Sequence, residues 1–389
     1  MKESDWISAE EAQLRLGVRA QTLYAYVSRG HVQVRAHPAD ARRSLYRATD
    51  VDELAVRNGR SRKLADVASA AIAWGEPVLS SAITTVRAGR FFYRGHDAVG
   101  LAEDRPLEAV ARLLLGEDQP GADNMERTPP PDHVDLHHRL YQMLAGRAAA
   151  SPPMLGSSDG MIAAEAALLL DLIADAAAGA VLPGPIHQRL ANSWGADPHG
   201  ATADLIRRML ILVADHELNA STFAARVTAS TGASLAAAVL SGLSTLSGPR
   251  HGGMSAMARR FAAEAELHGA RDAVHARLVE GRSLPGFGHP LYPQGDIRAK
   301  ALLDGFELPA SLAALRAAAK DLADVEPNID FAMMAICLSC GMPAQAPFAL
   351  FATARSAGWI AHAVEQNRTG KLIRPRARYV GPEPLIGSD

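Results

Sequence analysis

The sequence predicts a mainly α-helical protein with a small separate unit at its N-terminus. Three observations carry that prediction. Alanine, the strongest helix former, supplies about a fifth of the 389 residues, and aromatics supply only 5%. Long Ala/Leu-rich amphipathic stretches follow one another without the strand–helix alternation that builds a parallel sheet. Residues 1–63 hold 12 basic and 8 acidic side chains, a net of +4, although the whole chain carries −2.

The overall balance excludes several classes. Hydrophobic residues at 48% and charged residues at 21% rule out global disorder. A net charge of −2 argues against a protein that coats nucleic acid or an anionic membrane along its length. Two cysteines cannot build a disulfide scaffold, and they point to a reducing, cytoplasmic setting. The first residues lack a signal-peptide pattern. The most apolar stretch, Ala163 to Leu182, is broken by Glu165, Asp171 and Asp175, so no membrane partner is expected. Arginine outnumbers lysine by about seven to one, so an arginine counts only in a specific context.

The elements follow in order. Ser8-Ala9-Glu10-Glu11 is a capping box that starts a short helix, with Ala12 and Leu16 facing inward and Gly17 ending it. A second helix fits Gln21 to Arg29, and Gly30 stops it. Two short helices joined by a tight turn make a helix-turn-helix. An extended piece over Val32 to Val34, a turn at Pro38 to Asp40 and the run Arg42 to Arg47 form a wing. Asp50 opens a further helix, and 61–78 reads as a helical linker. A hairpin centred on Arg87 to Arg90 comes next. Helices are then expected over 106–115, 159–180, 199–214, 219–245, 255–280, 297–304, 309–323, 329–340 and 347–364, with a loop over 117–135.

Four segments interrupt the Ala/Leu background with His, Asp, Arg, Gly and Pro. They are Ala214 to Ser221, Ser247 to Gly253, Pro285 to Lys300, and Glu326 to Phe331 followed by Arg355 to His362 and Arg374 to Arg376. Singly, each reads as a turn or a structural histidine. Together they suggest a site. His251 stands near a helix start, where the dipole disfavours protonation and leaves a neutral imidazole. His289 lies in a glycine-rich loop that lets backbone approach a ligand. Asp330 stands at a helix N-terminus, and guanidinium forks in the later sequence suit carboxylates.

The segments "ADHELNAS", "SGPRHGG", "PGFGHPLYPQGDIRAK", "EPNIDF", "ARSAGWIAHAVEQ" and "IRPRARYVGP", with "YRGHDAVGLAEDRPLEAVARLLLG" before them, resemble the citrate synthase family over about residues 80 to 385. The resemblance implies an all-α homodimer with a large domain (64–257 and 364–389) and a small one (258–363). It implies condensation of an acyl-CoA with oxaloacetate, acetyl-CoA giving citrate or propionyl-CoA giving 2-methylcitrate. His251 would be the neutral donor to the thioester carbonyl, Asp330 the base and His289 the proton donor to the oxaloacetate carbonyl. His216, His289, Arg298, Arg355 and Arg374 match the oxaloacetate ligands, with Arg374 supplied by the partner subunit. Leu284, Gly286, Phe287 and Gly288 would line the CoA, the co-substrate. No metal and no tightly bound cofactor are implied. The chain departs from the family at Met254 to Met257, where an Asn is common, and at Pro290, which leaves the acyl preference open.

The segment "ISAEEAQLRLGVRAQTLYAYVSRGHV" resembles the winged helix-turn-helix of the MerR and excisionase type, over residues 1–63. DNA binding would then use Arg19, Gln21, Thr22 and Tyr24 for bases, and Arg29, Arg42 and Arg43 for phosphates. The alternative is a helical appendage for dimer or protein contacts. A second reading of the whole chain is a transcriptional regulator whose synthase-like body senses oxaloacetate or acyl-CoA. His133 and His137 stand one helical turn apart but lack the Glu of a zinc helix, and read as an exposed polar face. Cys337 and Cys340 form C-x-x-C on an apolar helix, where packing is expected.

Overall fold

Ser8 starts the first helix as expected: its Oγ accepts the Glu11 backbone N–H at 3.2 Å. The computed structural model describes residues 6–16, 18, 22–23, 26–27, 31–37, 40–54, 79–116, 127–377 and 379–382. The chain divides into two compact units, Met1–Ser80 and Ser81–Asp389. Each has its own apolar core. The expected boundary at 63 and the linker over 61–78 lie outside the described residues.

The first unit contains β1 (Trp6–Ser8), α1 (Ala9–Leu16), β2 (Val34–His37), β3 (Asp40–Arg47) and a helical run over 48–54. The three strands form an antiparallel sheet in the order β1-β3-β2. The extended piece expected over Val32 to Val34 thus begins two residues later, and β1 completes the sheet from the other side. Ile7, Ala12, Leu16, Leu23, Val32, Tyr46, Val51 and Leu54 build the core. Thr22, Leu23, Tyr26 and Val27 are helical, which covers part of the expected second helix. Arg19, Gln21, Tyr24 and Arg29 lie outside the described residues, as does the side chain of Arg42. Thr22 and Arg43 are exposed.

The second unit opens with the expected hairpin, β4 (Thr84–Arg87) and β5 (Arg90–Tyr93), to which β6 (His96–Asp97) adds a third strand. Helices follow: α2 (Ala98–Asp104), α3 (Leu107–Leu115), α4 (Leu136–Ala150), α5 (Asp159–Ala178), α6 (Ile186–Ser193) and α7 (Ala201–Leu212). Next are α8 (Ala220–Ala229), α9 (Leu235–Leu246), α10 (Met254–His268), α11 (Ala270–Val279), α12 (Ile297–Leu303), α13 (Ala310–Ala323), α14 (Ile329–Ser339) and α15 (Ala346–Thr369). No described helix is long and apolar enough to cross a membrane.

Two long helices of the sequence reading are each divided. The stretch 219–245 breaks between α8 and α9, where Ser234 caps the second helix by accepting the Ala237 N–H. The stretch 255–280 breaks at Gly269, whose φ of +91° ends α10. Composition alone hid both breaks, because alanine continues on either side. Helix α4, which the sequence reading did not expect, begins directly after the expected loop over 117–135, with Asp135 as its N-cap. His133 precedes that helix at φ +61°, so it shares no helix face with His137, whose ring stacks on Phe348 at 4.3 Å. Cys337 is buried in α14 and unpaired with Cys340, in keeping with packing.

Helix α15 runs through the middle of the unit. It packs against α3, α5, α7, α8, α9 and α14, and almost every residue from Ala346 to Val364 is buried. Small side chains let neighbours come close. A Cβ on Gly242 of α9 would lie 2.6 Å from the ring of Trp359, and one on Gly358 would lie 2.4 Å from Asp215 Oδ1. The α7–α8 connection therefore sits directly on α15.

Candidate active site

The connection between α7 and α8 is a short turn carrying His216. Three backbone ties hold it. Arg355 Nε donates to the carbonyl of Val213 at 2.9 Å, Gly358 N–H to that of Ala214 at 3.1 Å, and Asp215 N–H to the Tyr93 hydroxyl at 3.2 Å. Glu217 adopts φ +52°, an unfavourable value for a branched-off side chain. Its carboxylate offsets that cost by accepting the Val86 N–H of β4 at 3.1 Å.

Behind His216 lies a buried polar chain. Arg226 Nη1 donates to His362 Nδ1 at 2.9 Å, and the guanidinium also meets Glu365 at 2.6 Å and Gln366 at 3.1 Å. An arginine can only donate, so His362 keeps its proton on Nε2 and gives it to Asp215 Oδ2 at 3.1 Å. Thr84 donates to the same oxygen at 2.5 Å. Burial alone would raise the Asp215 carboxyl, but His362, Arg355 and Thr84 hold it below its usual range.

The second part of the site is the loop between α11 and α12. His289 lies in it, and its Nδ1 accepts the Leu291 N–H at 3.2 Å. Arg298 follows in the first turn of α12. Asp296, the N-cap of that helix, grips Arg298 through Nε at 2.9 Å and Nη2 at 2.8 Å. The Asp296 Oδ2 also accepts the Ile329 N–H at 3.1 Å, which ties this loop to the start of α14. Between His289 and Arg298 stands Tyr292, 3% exposed. Its ring is 5.1 Å from that of His289 and 5.7 Å from that of His216, and Arg298 lies 5.3 Å from it. The rings of His216 and His289 meet edge-on at 5.4 Å.

The third part is the base of α14. Asn328 caps the helix by accepting the N–H groups of Asp330 and Phe331, and its Nδ2 donates to the Gly288 carbonyl at 3.0 Å. The Asn328 N–H donates to Gly286 O at 2.8 Å. Gly286 needs to be glycine on two counts: its φ is +87°, and a Cβ there would lie 3.0 Å from that of Phe331. Asp330 itself is partly exposed, and its Oδ1 accepts the Ser255 hydroxyl of α10 at 2.7 Å. Burial raises the Asp330 carboxyl above its ordinary value, against the opposing pull of Ser255 and Arg298.

His251 lies in the turn before α10. Its Nε2 is 2.8 Å from Ser221 Oγ. That hydroxyl donates to Asn219 Oδ1 at 2.7 Å and accepts the Trp359 Nε1–H at 3.1 Å. With its only proton given to Asn219, Ser221 receives from His251, whose Nδ1 then carries the lone pair. All three histidines are neutral at pH 7. Burial, then Arg355, brings His251 to about 4, and burial, then Arg298, brings His289 to about 4. Burial, then the guanidiniums of Arg298 and Arg355, hold His216 well below its ordinary value.

Arg355 differs from the other buried arginines of the unit. It is 1% exposed, and no carboxylate lies within ion-pair distance of it among the described residues. Burial lowers it to about 10, so it remains charged. A cavity of about 970 Å³ opens beside this cluster, lined by the β4–β5 turn, Tyr292, Asp296, Lys300 and Arg316.

The structure thus gathers His216, His289, Arg298 and Arg355 around one charged, largely buried centre, with His251 tied to α15 through Ser221 and Trp359 and Asp330 held by Ser255. Leu284, Gly286, Phe287 and Gly288 pass the foot of α14. Arg374 stands apart on the exposed C-terminal segment. Sequence reading missed Tyr292, Asp296, Ser255, Ser221 and the Arg226–His362–Asp215 chain. Only Asp296 carried a usable signal, as an Asp two residues before an Arg at a helix start. No group of metal-ligating side chains occurs among the described residues.

Residues 162–376 match the family described as citrate synthase, C-terminal domain. That span is more than half of the chain. The chain belongs to the citrate synthase family. It is 33% identical over 329 residues to the putative citrate synthase 2 of Mycobacterium tuberculosis, covering 76% of this chain and 88% of the relative. The citrate synthase of Thermotoga maritima superposes with a TM-score of 0.62 at 26% identity, over 81% of this chain and 96% of that one. A ternary complex of the Thermoplasma acidophilum citrate synthase with carboxymethyl coenzyme A and oxaloacetate shares the fold, with a TM-score of 0.67 at 23% identity over 80% and 96%. The second unit therefore has the mainly helical citrate synthase fold, and the protein is a citrate synthase-like enzyme. The relatives are synthases, and none of them supports the regulator reading.

Proposed function

We propose that this synthase condenses acetyl-CoA or propionyl-CoA with oxaloacetate, releasing citrate or 2-methylcitrate and free CoA. The observation that carries the reading is Arg355: a buried guanidinium, unpaired by any described carboxylate, beside three neutral histidines. Such a centre favours a small anion rich in carboxylates. Oxaloacetate is one, with His216, His289, Arg298 and Arg355 as its ligands. Arg374, exposed in one subunit, completes the site of the other in a homodimer.

The chemistry follows from the side chains. Asp330, raised by burial, is a stronger base than an exposed carboxylate, and it takes the α-proton of the thioester as the enolate oxygen is stabilised. Neutral His251 stabilises the enolate oxygen by donating a hydrogen bond. In the arrangement described above its Nε2–H is given to Ser221, so donation from Nδ1 calls for the other tautomer, with the Ser221 hydroxyl turned from Asn219 onto Nε2. The enolate carbon attacks the ketone carbon of oxaloacetate while His289 gives its Nε2–H to the forming alkoxide. The proton taken by Asp330 balances the one His289 gave, and both groups return to their starting states on product release. Water then cleaves the thioester, giving the tricarboxylate and CoA thiol. The CoA lies along Leu284, Gly286, Phe287 and Gly288 and extends into the cavity. No tightly bound cofactor and no metal enter these steps. The reading includes a large domain over 64–257 and 364–389, a small domain over 258–363 and a cytoplasmic location.

Incubation with oxaloacetate and each acyl-CoA, followed by mass analysis, tests the reaction and settles the acyl choice. Accumulation of citrate or 2-methylcitrate supports it; full recovery of oxaloacetate in both cases overturns it.

For the first unit, we propose a winged helix-turn-helix that binds DNA. The β2–β3 hairpin favours this, since exposed Arg43 stands on the part of β3 that reaches beyond its pairing with β1. A salt-dependent gel shift on genomic fragments is expected from the full chain and should be lost without residues 1–63. Binding that survives the deletion contradicts the assignment.

A further inference from the structure

Tyr292 lies on no list of reacting groups, yet it touches more of the oxaloacetate cluster than any single member does. Its backbone N–H donates to the carbonyl of His289 at 2.9 Å. Its ring is held among His216, His289 and the Arg298 guanidinium. These contacts fix where the phenolic oxygen points, which is 2.9 Å from His216 Nε2.

We propose that Tyr292 is a positioning residue whose O–H donates to His216 Nε2 and so holds the proton of His216 on Nδ1, where it meets a carboxylate or carbonyl oxygen of oxaloacetate. The proposal rests on the condensation reading for the identity of the substrate, but the tautomer itself does not.

The direction of this hydrogen bond follows from counting protons. A neutral phenol carries one hydrogen, and at 3% exposure it needs an acceptor within the protein. Among the described residues, His216 Nε2 is the acceptor at hydrogen-bond distance from that oxygen. The reverse arrangement, with Nε2–H donating to the phenol, leaves the phenolic hydrogen without an acceptor among the described residues. Burial also pushes Tyr292 up to about 12, so the hydroxyl keeps its proton throughout the working range. His216 is neutral for the reasons given above, and a neutral imidazole has one N–H. With Nε2 accepting, that N–H is Nδ1, which has no hydrogen-bond partner among the described residues. A carboxylate accepts only, so the opposite tautomer would set a lone pair against it. Tyr292 thus decides whether His216 attracts the substrate or repels it.

The test uses the full chain labelled with ¹⁵N-histidine. Long-range ¹H–¹⁵N correlation reads the tautomer of His216, with the signal assigned by its loss in His216→Gln. The parent is expected to show Nδ1–H, and Tyr292→Phe to show a mixture or the Nε2–H form. In steady state, Tyr292→Phe should raise the KM for oxaloacetate about tenfold and leave that for the acyl-CoA within about twofold. Tyr292→Leu separates packing from the hydroxyl: it should lower the thermal midpoint, whereas Tyr292→Phe should not. An Nε2–H parent, or an oxaloacetate KM in Tyr292→Phe equal to the parent's, overturns the proposal. A parent that releases no thiol from any short acyl-CoA overturns the condensation reading instead, and the tautomer signal then decides the role of Tyr292 by itself.

Discussion

Arg355 holds a full charge in a place where charge is costly, and among the described residues its single contact at hydrogen-bond distance is a backbone carbonyl. An anion that fills the site would recover that cost through two strong hydrogen bonds. Arg355→Leu should therefore raise the oxaloacetate KM by about a hundredfold, the equivalent of one or two charge-assisted bonds. An unchanged KM would move the anion elsewhere. Ser255 offers a finer probe. Its hydroxyl stabilises the ionised Asp330, so Ser255→Ala removes a stabiliser of the charged form. The Asp330 pKa then rises further. The limb on which kcat falls with acidification should shift to higher pH, by up to about one unit. A limb that stays in place would mean that Ser255 is not tuning the base. The segments that carry His216, His251, His289, Arg298 and Arg355 were legible in the sequence through motif order. The partners Ser255, Ser221 and Tyr292 were not, because each acts across a contact between segments distant along the chain, and a lone Ser or Tyr has no pattern.

At the scale of the element, the helices were largely readable because alanine and leucine alternate with polar residues at helical spacing. The breaks at Ser234 and Gly269 escaped notice because capping there depends on one side chain or one positive φ within a continuous alanine-rich run. The short helices α2 and α6 escaped because seven or eight residues hold too few turns to show a period. The close approach of α15 to the His216 turn could not be read at all, although its cause is plain in the structure. Gly358 has no side chain, and its N–H reaches the carbonyl of Ala214. Gly358→Ala would place a methyl 2.4 Å from a buried carboxylate oxygen. It should destabilise the fold by about 1–3 kcal/mol in denaturant unfolding and weaken oxaloacetate binding more than acyl-CoA binding. Equal loss of both would show that the substitution disturbs the whole cleft rather than the His216 turn.

Over the whole molecule, near-neutral charge concealed a division of labour. The basic N-terminal unit folds around its own small core, and the second unit concentrates its unusual chemistry in one place. That place is assembled from the α7–α8 turn, the α11–α12 loop, the start of α14 and the middle of α15, segments separated by up to about 140 positions. Sequence reading could name the segments because each interrupts an otherwise uniform helical background. It could not supply the burial of these groups, which keeps the histidines neutral and raises the Asp330 carboxyl. Those two properties are what the condensation requires, and one assay tests them together. Purified protein is mixed with oxaloacetate and acetyl-CoA or propionyl-CoA, and free thiol is followed over time. Thiol release that depends on oxaloacetate, and that Asp330→Ala lowers by at least about a thousandfold, is the expected result. Release that is absent with both acyl-CoAs, or that persists undiminished in Asp330→Ala, would contradict it.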